Sequence, residues 1–171
     1  MDLNRPLDFF LAILPAMVAN ASPVASRRIL KKRWHPVDFG KSFIDGRRLL
    51  GDGKTFEGLL IGVAAGVIVG LLESFILSDP GYLYVGFIGS LGALIGDMVG
   101  SFIKRRLGLK RGAPAPLLDQ LDFYVGALIA IRLMGYDMSL RLALEFSLLV
   151  IALHIGTNYA AYKLGLKDVP W

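Results

Sequence analysis

The sequence predicts an all-α integral membrane protein, a bundle of about five transmembrane helices with two functional cytoplasmic loops. Three observations carry this. The 171 residues are 54% apolar and only 19% charged. Mean hydropathy is +0.56, above that of a soluble domain. The apolar residues also gather into long stretches that approach the roughly 20 residues a helix needs to cross a bilayer. The length allows one domain, residues 1–171.

The first stretch is Leu7–Val24. Asp2 and a single base, Arg5, precede it, which reads as a retained span rather than a cleaved signal. Pro15 and Asn20 within it point to a kink or a polar neighbour. A basic loop, 25–55, leads to the second span, Phe56–Leu77, where Gly58, Gly62, Gly66 and Gly70 recur every fourth residue. The short turn Ser78–Gly81 holds no base. Gly92, Gly96 and Gly100 repeat the spacing in the third span, Tyr82–Ile103. Small residues at this interval let helix backbones approach closely in lipid, so the glycine faces read as packing, in a compact bundle or a homodimer, and not as chemistry. The loop 104–116 then leads to spans at Leu117–Met134 and Leu140–Leu164.

Charge sets the orientation. Nine of the 19 Lys and Arg residues lie between the first two spans and five between the third and fourth. Lys163 and Lys167 follow the fifth. The positive-inside rule places both basic loops and the C-terminus in the cytoplasm and the N-terminus outside, in the plasma membrane. Cysteine is absent and the only histidines are His35 and His154, which excludes thiolate and multi-histidine metal sites. Any divalent metal must sit on oxygen.

Ionisable groups inside apolar stretches are costly and face a bundle interior or a wet cavity. Glu73, Arg132 and Glu145 belong to the outer half and read as a structural ion-pair cluster. His154 and Asn158 share a helix face and either line a cavity or bond a neighbouring helix. Asp119 and Asp122 project from one face, with Asp97 at similar depth on the preceding helix. Three carboxylates at one depth need compensating cations, from basic side chains or from Mg²⁺, with Mn²⁺ as the alternative. Lys104, Arg105, Arg106, Lys110 and Arg111 beside them suit a polyphosphate. Acids for a metal and bases for phosphates are the parts of phosphoryl or nucleotidyl transfer.

The first loop mixes acids, bases and glycines in the same way: His35, Asp38, Gly40, Asp45, Arg47, Arg48, then Gly51-Asp-Gly53-Lys54-Thr55. The last run fails as a Walker A motif, since Arg48 stands where a glycine is needed and a membrane helix follows. It still places Lys54 and Thr55 at a helix N-terminus, which favours an anion.

These residues resemble a known family. Gly96-Asp97-Met-Val-Gly-Ser101-Phe-Ile-Lys104-Arg105, then Lys110, then Asp119-Gln120-Leu-Asp122, is similar to the signature of the CDP-diacylglycerol synthases (phosphatidate cytidylyltransferases). Lys54-Thr55-Phe56-Glu57-Gly58 resembles their upstream segment. Arg111 stands in place of an acid, Gln120 in place of an arginine, and Ala113-Pro114-Ala115-Pro116 fills a shortened loop. The short chain and the first-loop pattern Lys32, Pro36, Asp38, Gly40, Asp45, Gly46, Arg47, Arg48, Gly51, Gly53, Lys54, Thr55 resemble the archaeal branch, the CDP-archaeol synthases. The resemblance implies transfer of CMP from CTP to a lipid phosphate, in that branch a geranylgeranyl ether of glycerol phosphate. It implies catalytic roles for Asp97, Asp119, Asp122 and Lys104, with the three acids as metal ligands. It implies substrate binding by Asp38, Asp45, Arg47, Arg48, Gly53, Lys54, Thr55, Ser101, Arg105 and Lys110.

The expected partners are CTP, the lipid phosphate and the bilayer, and not nucleic acid. Two rivals stand beside this reading. One is a cytidylyltransferase acting on a diacyl phosphatidate. The other is a small cation-binding transporter, which would spread its acids through the membrane depth and bind no nucleotide.

Overall fold

The computed structural model describes residues 1–30 and 34–170, so Lys31, Lys32 and Arg33 of the first basic loop lie outside the described residues. Five helices follow in order: α1 (Pro6–Leu30), α2 (Phe56–Leu77), α3 (Gly81–Arg106), α4 (Leu118–Leu133) and α5 (Leu140–Lys163). α2 begins where the Thr55 hydroxyl accepts a hydrogen bond from the Gly58 amide at 3.2 Å. It ends at Ser78, whose left-handed backbone (φ 53°) breaks the helix before the turn into α3. Ser139 caps α5 in the same manner as Thr55, accepting from the Leu142 amide.

Four of the five helices, α1, α2, α3 and α5, are long and apolar enough to cross a membrane. α4 has 16 residues. At 1.5 Å per residue it reaches about 24 Å, short of a hydrocarbon core of about 30 Å. The predicted span Leu117–Met134 is therefore a helix, but a shorter one than its neighbours. Large apolar side chains such as Leu60, Phe75, Leu144 and Leu148 are widely exposed, as on a protein whose solvent is lipid.

The centre is a cluster of Phe9, Ile13, Ala16, Ala93, Phe123, Tyr124, Ala127, Leu142 and Val150 from α1, α3, α4 and α5. α2 packs outside it, and its buried face consists of Gly58, Gly62, Gly66 and Gly70 with Glu73. A Cβ on Gly62 would meet the Ala19 carbonyl at 2.8 Å, and one on Gly66 the Pro15 carbonyl at 2.9 Å. Pro23 has no N–H to offer the Ala19 carbonyl, which takes the Ser22 hydroxyl at 3.4 Å instead. The carbonyls of Pro15 and Ala19 thus lie against the bare glycine face of α2, and the glycine faces are used within one chain.

The outer ion-pair cluster does not form. Arg132 pairs with Asp137 at 2.5 Å and Glu145 with Arg141 at 2.7 Å. Arg132 is exposed at the end of α4 and reaches an acid only five residues on, whereas Glu73 is buried against α3. Among the described residues, neither Glu73 carboxylate oxygen has a hydrogen-bond partner.

Candidate active site

The C-terminal ends of α1, α3 and α5, the N-terminal ends of α2 and α4 and both basic loops meet at one end of the bundle. A cleft opens there with two joined lobes of about 1090 and 660 Å³. Asn20, Lys54, Asp97 and Lys167 line both lobes. The larger lobe is walled by the glycine-rich run at Gly53–Thr55 and by Arg111 and Gly112. The smaller lobe runs between α1 and α5 and holds Lys104, Asp119 and Asp122.

The compensating cations are basic side chains. Lys54 Nζ donates to Asp97 Oδ2, and Lys104 Nζ donates to Asp119 Oδ1 at 2.5 Å. The second oxygen of Asp119 accepts the Ala115 amide at 2.8 Å, so both its oxygens are engaged. Asp122 differs. One of its oxygens accepts the Phe123 amide at 2.7 Å, and among the described residues it makes no ion pair. Its carboxylate lies on the bare backbone of Gly100, where an added Cβ would meet Oδ2 at 2.0 Å. Gly96 packs in the same way against the Asp122 carbonyl. The glycines of α3 therefore do more than pack, because one of them makes the space in which a site carboxylate sits.

The first loop is built around Asp38. Its carboxylate accepts Arg48 Nη2 at 2.8 Å and Nε at 3.2 Å. It also takes the amides of Gly51, Leu50 and Gly40 at 2.8, 3.0 and 3.1 Å. Burial alone would raise this carboxyl, but Arg48 and the three amides outweigh it and hold it well below the usual carboxylate range. A depressed carboxyl contributes stability that is present above the unfolded value, near pH 4, and is lost as pH falls through the folded value. The contribution of Asp38 should therefore be constant from about pH 5 to 8, as followed by the hydrogen-exchange protection of the Gly51 amide that it accepts. Asp38→Asn should weaken the loop by about 3 kcal/mol, because it breaks a buried pair. The expected readout at pH 8 is faster tryptic cleavage after Lys41 and Arg47, and an unchanged cleavage pattern would show that the loop is held elsewhere.

Arg106, at the end of α3, ties this loop to the bundle. Its guanidinium donates to Asp45 at 2.5 Å and to the carbonyls of Arg48 at 2.5 Å and Arg47 at 3.2 Å. It lies against the rings of Phe43 and Phe102, 5.0 and 4.8 Å from their centroids. The Arg47 guanidinium donates in return to the Arg106 carbonyl. Asp38, Asp45, Arg47 and Arg48 thus shape the loop that presents Gly53, Lys54 and Thr55 to the cleft. His35 holds the start of α2 by bonding Glu57 through its ring, at 2.5 Å, and its backbone amide, at 2.9 Å.

Not every predicted residue reaches the cleft. Ser101 is buried on α3, one turn after Asp97, and lines neither lobe. Arg105 and the exposed Lys110 line neither lobe either, whereas Arg111, between the turns at Gly108 (φ +75°) and Gly112 (φ +81°), lines the larger one. His154 and Asn158 do line the smaller lobe and bond each other at 3.0 Å. Lys167 was legible in the sequence only as a topological charge, yet it stands in both lobes.

Among the described residues no three His, Asp or Glu side chains form a ready metal cage. Asp97 and Asp122 face the same lobe and are electrostatic neighbours. Two carboxylates beside open space fit Mg²⁺, which takes one or two protein carboxylates and completes its shell with water and substrate phosphate.

Comparison with known proteins gives the family. The profile of the CarS-like family, described as CDP-archaeol synthase, matches residues 4–171. A CDP-archaeol synthase of Hyperthermus butylicus is 53% identical over 170 residues, covering 99% of each chain. That of Methanopyrus kandleri is 51% identical over 172 residues, covering 100% of this chain and 95% of the relative. A solved structure of an intramembrane enzyme for archaeal membrane lipids biosynthesis superposes with a TM-score of 0.84 at 48% identity, covering 92% of this chain and 96% of that one. The chain belongs to the CarS-like family of CDP-archaeol synthases.

Proposed function

We propose that the chain transfers CMP from CTP to 2,3-bis-O-geranylgeranylglycerol phosphate, releasing pyrophosphate, at the cytoplasmic face of the plasma membrane. The observation that carries this reading is a cleft with carboxylates and ammonium groups on one side and an apolar wall of two membrane helices on the other. Leu14, Met17 and Val18 of α1 face Val150 and Leu153 of α5 across the smaller lobe. α1 and α5 touch each other less than any other packed pair. The gap between them is the lateral opening for the lipid tails. With the N-terminus outside, both basic loops in the cytoplasm and α4 as a short fifth crossing beside four full-length ones, this cleft opens where CTP is. One chain supplies every group the reading uses.

The nucleophile is an oxygen of the lipid phosphate. It forms a bond to the α-phosphorus of CTP as the bond from that phosphorus to the β-phosphate oxygen breaks. A phosphate is already ionised near neutral pH, so no general base is required. The obstacle is the approach of one anion to another. Asp97 and Asp122 would hold Mg²⁺, which supplies charge neutralisation on the phosphates. Lys54 and Lys104 turn from their carboxylate partners toward phosphate oxygens when substrate enters. Asp119 keeps Lys104 aimed into the lobe until then. Thr55 and the turn Gly51–Gly53 fix the position of Lys54, and the Asp38–Arg106 framework keeps that turn in place.

Purified protein in detergent, given CTP, Mg²⁺ and the ether-lipid phosphate, should release pyrophosphate and form a CDP-lipid in equal amounts. ATP should not replace CTP, and a diacyl phosphatidate should be used less well. Faster turnover of the diacyl phosphatidate than of the ether lipid would favour the diacyl alternative. No turnover with any pair by folded protein would overturn the reading, and cation transport would then be measured.

A further inference from the structure

α5 ends in a turn that the reaction scheme leaves unused. Gly165 has φ +69°, a left-handed backbone that a residue with a Cβ adopts only at a cost. Its amide donates to the Tyr162 carbonyl at 3.0 Å and the Leu166 amide to the Ala161 carbonyl at 2.8 Å. This pair of bonds closes a helix and sends the following chain back along it. As a result Leu166 and Lys167 line both lobes of the cleft.

Lys167 is held there by α5 itself. Its Nζ donates to Asn158 Oδ1 at 3.0 Å. The Asn158 amide nitrogen lies 3.0 Å from His154 Nδ1, one helical turn back, so the imidazole fixes which way the amide points. Burial lowers the Lys167 ammonium from its ordinary value, Asp119 opposes that shift, and Lys104 adds to it. The result is a half-buried cation that reaches the cleft beside Lys104 and Asp119. An anionic group entering the lobe would meet the ammonium groups of Lys167 and Lys104 together.

We propose that Lys167 is a substrate-binding residue that takes the phosphate of the lipid substrate, with Asn158 as its positioning residue. This rests on the cytidylyltransferase reading. Two placements assign the lipid phosphate rather than the triphosphate. Asn158 and His154 stand on α5, which walls the apolar lobe where the tails lie. The larger lobe has its own added base, Arg111, from the other loop.

The test compares Lys167→Ala, Lys167→Arg and Asn158→Ala by pyrophosphate release, varying the ether-lipid phosphate at saturating CTP and then the reverse. Equilibrium binding of the ether-lipid phosphate without CTP is measured alongside. Loss of a charged hydrogen bond should raise the lipid KM of Lys167→Ala about tenfold or more and weaken lipid binding in parallel. The CTP KM should move less than about twofold, since that contact is elsewhere. Lys167→Arg should recover most of the loss, and Asn158→Ala should show a smaller shift in the same direction. An unchanged lipid KM, or a rise confined to CTP, would overturn the assignment. If Lys167→Ala does not fold, Lys167→Gln makes the same comparison. A wild-type protein that binds the lipid phosphate through Lys167 but never turns over CTP would count against the reaction and not against this contact.

Discussion

Asp97→Asn should lower kcat by about 10²–10³-fold while leaving the helices folded. That is the scale on which single groups acting on transition-state charge contribute. The substitution keeps the size of the side chain and removes its charge at the centre of the cleft. Two roles for Asp97 make different predictions. As a metal ligand, its loss should raise the Mg²⁺ needed for half-maximal pyrophosphate release. As no more than the partner of Lys54, its loss should add nothing once the lysine is gone. Comparing Lys54→Gln with the double variant Lys54→Gln, Asp97→Asn separates the two. Equal rates for these two would reduce Asp97 to a positioning partner. A double variant far slower than Lys54→Gln, with a raised Mg²⁺ requirement in Asp97→Asn, supports metal binding by Asp97. Structural cost is not the explanation expected, because both side chains face open space and keep about a fifth of their surface exposed.

Membrane character and helix order were legible because lipid demands long apolar stretches, and composition reveals those directly. The motif acids were legible because carboxylates in such stretches are too costly to be incidental. Asp97, Asp119 and Asp122 do come to one lobe, together with Lys54 and Lys104. Hydropathy located α4 to within one residue at each end, Leu118–Leu133, but does not show the left-handed backbone of Leu117 (φ 66°) from which it starts. Nor does it show how charges pair in three dimensions. Arg132 and Glu145 found partners four or five residues away, so their shared depth meant nothing. Arg106 was legible only as one more base for a polyphosphate, and Lys167 only as a topological charge. Each acts through a turn or a long-range carbonyl contact, which spacing along the chain does not show. The signal for Lys167 was Gly165, placed just after a helix end with a base two residues on.

Gly100→Ala should lose most of its activity through Asp122, although position 100 carries no functional group. The added Cβ would fall 2.0 Å from Asp122 Oδ2 and 2.8 Å from both Cβ and Cγ. Rotation of the carboxylate clears the oxygen but not the Cβ, so the whole residue must move away from α3. A displacement near 1 Å at a group that orients substrate or metal is worth about 10²-fold in rate. The cost in stability should be about 1–3 kcal/mol, the usual range for overpacking. Gly96→Ala provides the contrast. There the Cβ would fall 2.2 Å from the Asp122 carbonyl and 3.0 Å from the Cα of Gly126, both rigid backbone. It must wedge α3 from α4 and should lower the thermal midpoint in detergent more than Gly100→Ala does. The ordering separates packing from placement. If the glycine stripe serves packing alone, activity should track stability, and Gly96→Ala should be the less active of the two at any temperature. If Gly100 makes room for a working carboxylate, Gly100→Ala should be the poorer enzyme and the more stable protein, and its remaining activity should call for more Mg²⁺.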